Sequence, residues 1–175
     1  MIDNIDLLIS KMQSKTESEA FLFSDQLAAI GDENVIDKMI ELLYHDDRDT
    51  QYLAARTLSL IKNNDSALEP LLAAIHDKRN LNNNGGMVEA LLGFDCSQKF
   101  TDIFKIYLFG NIKSSAMAKM ILDYQEFDIT PRIIRKCIKH WNHLINNSKH
   151  DEAFQIRKQE IETIINELKE LFNSE

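Results

Sequence analysis

The chain is short of most of what marks a secreted, membrane-bound or nucleotide-handling protein. Two cysteines in 175 residues allow at most one bridge, so no disulfide framework holds the fold, and Cys96 and Cys137 read as unpaired thiols of a reducing compartment. Glycine and proline are scarce, at five and two, and no Gly-rich phosphate loop occurs. Gly85-Gly86 lacks the lysine and hydroxyl spacing that a nucleotide loop needs. Most apolar runs break off within three or four residues, and none approaches the roughly eighteen needed to cross a bilayer. Asp3 and Asp6 stand where an export signal would carry positive charge, and Leu7-Leu8-Ile9 is too short for its apolar core. The expectation is a cytoplasmic protein with no membrane span.

What is present is a helical pattern repeated at about thirty residues. Leu27, Leu58, Leu91 and Ile121 hold equivalent places in Ala/Leu-rich segments, and Ile40, Leu72 and Phe104 mark the alternating segments. Two helices and two tight turns fill that interval, so each unit is a helical hairpin. A single hairpin cannot hide its apolar face, whereas stacked ones can, which predicts an all-α solenoid. With 44% apolar residues the chain has enough material for a continuous core.

The pattern predicts about nine helices. The first runs from Asn4 to Met12, capped by Asp3 or Asn4; the second begins near Thr16 with the capping-box spacing Thr16-x-x-Glu19 and stops at Gly31. Asp32 or Asn34 opens the third, which ends at Asp46-Asp47-Arg48-Asp49. Thr50 to Ile61 and Ser66 to His76 follow, with Pro70 expected in a first turn. Asn80 to Gly86 reads as a wide turn, Phe100 opens a helix stopped by Gly110, and Ser114 or Ser115 starts the next. Met117, Met120, Ile121 and Tyr124 are expected to supply its packing contacts. Thr130-Pro131 is a cap with a first-turn proline, and Asp151 to Phe172 is a long closing helix.

Asp49-Thr50-Gln51-Tyr52-Leu53-Ala54-Ala55-Arg56-Thr57-Leu58-Ser59-Leu60-Ile61, followed by Ala67-Leu68-Glu69-Pro70-Leu71-Leu72-Ala73-Ala74-Ile75, resembles the HEAT-like repeat proteins, including short bacterial scaffolds. Thr50-Gln51 departs from the family's usual Val-Arg, and Ser59 stands where glycine is frequent. The similarity extends over residues 17–145. It implies a short right-handed α-α superhelix of HEAT-like hairpins, one domain over 1–175 with 1–16 and 151–175 as capping segments. The implied role is a non-enzymatic protein-binding scaffold or adaptor, without cofactor or metal. Some DNA glycosylases share this architecture, but no catalytic set can be carried onto these positions.

Charge separates along the chain. Residues 1–50 hold 12 acids and 4 bases, whereas 101–150 hold 4 acids and 8 bases, within a net charge of −8. The acidic balance opposes a nucleic-acid partner. Arg132, Arg135, Lys136 and Lys139 form two like-charge i,i+4 pairs, which read as a surface for an acidic protein or as an ordinary solvated face. Lys113 and Lys119 extend that field in the same reading. Glu33, Asp37 and Glu41 line an acidic counterpart beside the Asp46-to-Asp49 turn, and Tyr52 either seals that turn or reaches a partner. The acidic first third also suits a bacterial immunity or inhibitor protein that covers a basic toxin surface. Asp47-Arg48-Asp49 lacks the other ligands of a calcium loop. His140 and His143 are three apart without a third metal ligand, and Ser97, Cys96 and Cys137 lack the base and orienter of a nucleophile. Trp141 and Tyr107 are expected to complete packing faces. Small-molecule ligands are left open by the pattern.

Overall fold

A computed structural model describes residues 2–14, 19–148 and 152–173. Among the described residues all regular structure is helical, with ten α-helices and one 3-10 turn. They fall into two compact units, Met1–Asp95 and Cys96–Glu175.

The first unit contains α1 (Ile2–Gln13), α2 (Ala20–Ile30), α3 (Glu33–Leu42), α4 (Arg48–Leu60), α5 (Asp65–His76), α6 (Gly85–Ala90) and the 3-10 turn Leu91–Gly93. Consecutive helices pair as hairpins, α1 with α2, α3 with α4 and α5 with α6. The second members also touch in series, α2 on α4 and α4 on α6, while α3 rests on α5. This hairpin packing is consistent with a helical solenoid. Leu27, Val35, Met39, Leu43, Leu58, Leu71, Ile75, Val88 and Leu91 are wholly buried between the rows. Burying one such side chain contributes about 1.5–3 kcal/mol. Ala54, Ala55, Ala67 and Ala74 are equally buried, and their small side chains allow close helix approach.

Contacts between successive hairpins repeat the period of the sequence. The Ser24 and Thr57 hydroxyls lie 2.9 Å apart across a separation of 33 residues, and Arg56 donates to Asp25 at 2.6 Å across 31. The Asn64 side-chain amide donates at 3.0 Å both to the Leu58 carbonyl and, 29 residues on, to the Gly93 carbonyl.

Local chemistry sets the helix ends. Gly31 adopts φ 54°, the left-handed conformation that closes α2 through its N–H to the Leu27 carbonyl at 3.0 Å. Asp32 caps α3 by accepting from the Val35 N–H at 2.9 Å. Asp47 caps α4 by accepting from the Thr50 N–H at 3.0 Å and its hydroxyl at 2.9 Å, so this helix starts at Arg48 rather than at Thr50. Asn80 and Asn84, in the expected wide turn, are buried and donate to the Ala74 and Ile75 carbonyls at 2.9 and 2.8 Å. Those amides add side-chain donors to carbonyls in the last turn of α5, where the Ala74 carbonyl also accepts from the Asp77 N–H at 3.3 Å.

Several local expectations change. The first helix starts at Ile2, placing Asp3 and Asn4 inside its first turn rather than at its cap. Thr16 lies outside the described residues, and Glu19, at the start of α2, makes no side-chain cap bond. Pro70 is the sixth residue of α5 and not in its first turn, so the Ser66 carbonyl lacks the usual i+4 donor. Gly85 and Gly86 open α6 instead of extending the turn. Ile40 is only half-buried.

The second unit contains α7 (Phe100–Phe109), α8 (Ile112–Tyr124), α9 (Pro131–Asn147) and α10 (Glu152–Asn173). α7 packs on α8 and α9, and α9 on α10, around Ile103, Phe104, Ile121, Cys137 and Ile161. Asn111 caps α8 by accepting from the Ser114 N–H at 3.0 Å, so the helix begins before the expected serines. Ser115 is buried and donates to the Tyr107 carbonyl at 2.6 Å. Tyr124, expected in the core, is 82% exposed. A polar seam ties α10 down. Tyr107 donates its hydroxyl to Glu160 at 2.9 Å, and Arg157 bonds to Ser115 while lying over the Tyr107 ring. Burial first, then the bond to Glu160, raises the Tyr107 pKa.

Candidate protein-binding surfaces

On α9 the apolar residues dictate where the charges go. Thr130 caps the helix through the Ile133 N–H at 3.4 Å and Pro131 occupies its first turn. Ile134, Cys137 and Trp141 then form the buried stripe, with Trp141 stacked on Phe154 at 6.1 Å between ring centroids. Arg132, Arg135, Lys136 and Lys139 are consequently all exposed. No aspartate or glutamate occurs in α9, and among the described residues none of these four cations forms an ion pair. Arg132 also sits at the helix N-terminus, the positive end of the backbone dipole. Two like-charge pairs and an unfavourable dipole therefore fall on one face, at a cost to the isolated helix.

The neighbouring residues refine that face. Lys119 is bound to Asp123 on its own helix at 2.5 Å, which withdraws it from the expected field. His140 and His143 flank the Phe109 ring at 6.4 and 6.2 Å between centroids, so their spacing serves aromatic packing. Burial lowers the His140 pKa, and the nearby Lys105 and Lys139 charges lower it further.

On α3 the same logic exposes carboxylates. Val35, Ile36 and Met39 turn inward, leaving Glu33, Asp37 and Glu41 exposed on the other side. Lys38 forms a 2.9 Å ion pair with Asp6 of α1. Asp46 and Asp49 are exposed in and after the following turn, whereas Asp47 is occupied as the α4 cap.

Tyr52 is half-buried. Its ring meets Phe21 edge-on at 6.2 Å and 70°. Its other neighbour is Gly86, where an added β-carbon would lie 2.5 Å from the ring. Phe21, absent from the sequence-derived candidates, is 53% exposed and has the Arg56 guanidinium 5.2 Å from its centroid. Its separation of 31 residues from Tyr52, the repeat interval, is the signal that pairs them.

Cys96 and Cys137 are buried, and neither is in a disulfide among the described residues. Among the described residues no group of three or more His, Cys, Asp or Glu side chains is placed to hold a metal ion, and no helix is long and apolar enough to cross a membrane. No protein family, curated protein or solved structure matches the chain.

Proposed function

We propose that this chain is a non-enzymatic protein-binding scaffold that docks an acidic segment of a partner protein on the basic face of α9. The observation that supports this reading is the set of four exposed cations, without an ion pair among the described residues, on a helix without an acidic residue, in a protein of net charge −8. An acidic partner would relieve both the like-charge repulsion and the unfavourable helix dipole, and would be steered to the face over distances comparable with the Debye length. In this reading the hairpins form a right-handed HEAT-like superhelix over residues 1–175, with 1–16 and 151–175 as caps, working in the cytoplasm. Glu33, Asp37, Glu41 and Tyr52 form a separate surface, in the first unit, for a basic segment.

The test takes a partner recovered from native extract and titrates it, as a purified pair, against wild type and the Arg132→Glu/Lys136→Glu variant. Affinity is expected to fall about tenfold or more at low salt and less at high salt, with helicity unchanged. Equal affinity at every salt concentration, with folding intact, removes α9 from the site. Loss of folding instead identifies the four residues as structural.

A further inference from the structure

Phe109, the last residue of α7, is 45% exposed although its ring lies in a cluster with two others. The His140 ring meets it edge-on at 82°, and the His143 ring is tilted against it at 60°. Beyond the link Gly110-Asn111, Ile112 begins α8 with 92% of its surface in water. Two large apolar side chains are thus left uncovered at the α7–α8 link.

Helical spacing ties the open ring to the basic face of α9. Lys105 and Phe109 are four apart on α7, as are Lys136 and His140, and Lys139 and His143, on α9. Each lysine therefore precedes a ring of the cluster by one turn, so the face is basic at one end and aromatic at the other. Lys105 and Lys139 both act electrostatically on His140, with Asp102 as the opposing charge. Among the described residues none of Lys105, Lys136 and Lys139 forms an ion pair. A segment bearing carboxylates alone would satisfy these cations and leave Phe109 in water. An aromatic side chain beside the carboxylates covers it as well, through the edge and stacking contacts that rings favour. From Arg132 to His143 α9 rises about 16 Å, and five extended residues reach about 17 Å, so one short segment spans both ends.

We propose that the acidic partner segment carries an aromatic residue that seats on Phe109 beside His140 and His143, while its carboxylates meet Lys105, Lys136 and Lys139. The inference rests on the reading of α9 as a surface for an acidic protein segment and names the second element by which that segment is recognised. The aromatic contact can fail while the charge reading stands.

The experiment titrates the ¹⁵N-labelled full chain with the capped peptide acetyl-Asp-Glu-Asp-Glu-Phe-amide and with its reversed sequence, using versions of both with alanine in place of phenylalanine as controls. All four are expected to shift amides of α9. At least one phenylalanine peptide is expected to bind fivefold or more tighter than its control, with added shifts at Phe109, His140 and His143. Phe109→Ala is expected to abolish that advantage and leave the affinity for the alanine peptides unchanged. His143→Ala, at an exposed position, is expected to reduce the advantage and serves where Phe109→Ala unfolds. Arg132→Glu/Lys136→Glu is expected to weaken every peptide. Alanine peptides that bind as tightly as the phenylalanine ones overturn the aromatic contact and leave the charge reading standing, whereas no saturable shift with any peptide overturns both. The proposal is also overturned by an undiminished advantage in a folded Phe109→Ala protein, or in His143→Ala should the first variant unfold, and by shifts centred on the first unit. Phosphatidylserine vesicles that bind this face and exclude the peptides would assign it to a lipid surface and overturn it likewise.

Discussion

A β-carbon built on Gly93 would stand 2.1 Å from the carbonyl oxygen of Ser59. The 3-10 turn after α6 thus lies directly on the backbone near the end of α4, where no flexible side-chain tip can move aside. Gly93→Ala is expected to destabilise the protein by about 1–3 kcal/mol through overpacking. Equilibrium denaturation checks this, and an unshifted midpoint would show that the seam opens freely.

Leu58 is wholly buried near the end of α4, between the helices that α4 joins. Leu58→Ala is expected to cost about 2–5 kcal/mol, the lost transfer energy plus the cavity left behind. Urea unfolding with almost no loss would place the residue outside a rigid core.

Cys137 tests the second unit through pH. Burial pushes its pKa up to about 12, although a hydrogen bond to Thr101 and the Lys136 charge pull the other way. The unfolded chain then releases the thiol proton first, so this group's contribution to stability falls as pH rises from the ordinary thiol range toward about 12. Cys137→Ala is expected to flatten the alkaline decline measured by chemical denaturation. An alkaline slope identical to wild type would show that the thiol is already open to solvent.

The hairpin architecture was legible because repeated burial leaves a periodic trace. Leu27, Leu58, Leu91 and Ile121, picked out by spacing, are all wholly buried. Helix starts were less legible because several polar side chains compete for each one. Asn111 captures the cap of α8, while Ser115 turns inward to the Tyr107 carbonyl. The Asn64 amide binds the Leu58 and Gly93 carbonyls just before α5, which begins at Asp65, so Pro70 falls beyond the first turn. Of the candidate sites, the α9 face could be read whole, since its residues share one helix. The meeting of Phe21 and Tyr52 could not be read within one helix; only their separation by one repeat interval, across α2 and α4, points to it.

Asn84 and Gly85 form the dipeptide in which a backbone nitrogen most readily attacks the preceding side-chain amide, the first step of deamidation. Here the Asn84 amide is buried and donates to the Ile75 carbonyl at 2.8 Å, while Gly85 is already committed to α6. Attack requires both groups to leave these positions, so this loop ages chemically only when it opens. Any aspartate or isoaspartate formed at position 84 would therefore report that opening, with the loss of the Ile75 carbonyl's amide partner as its lasting result.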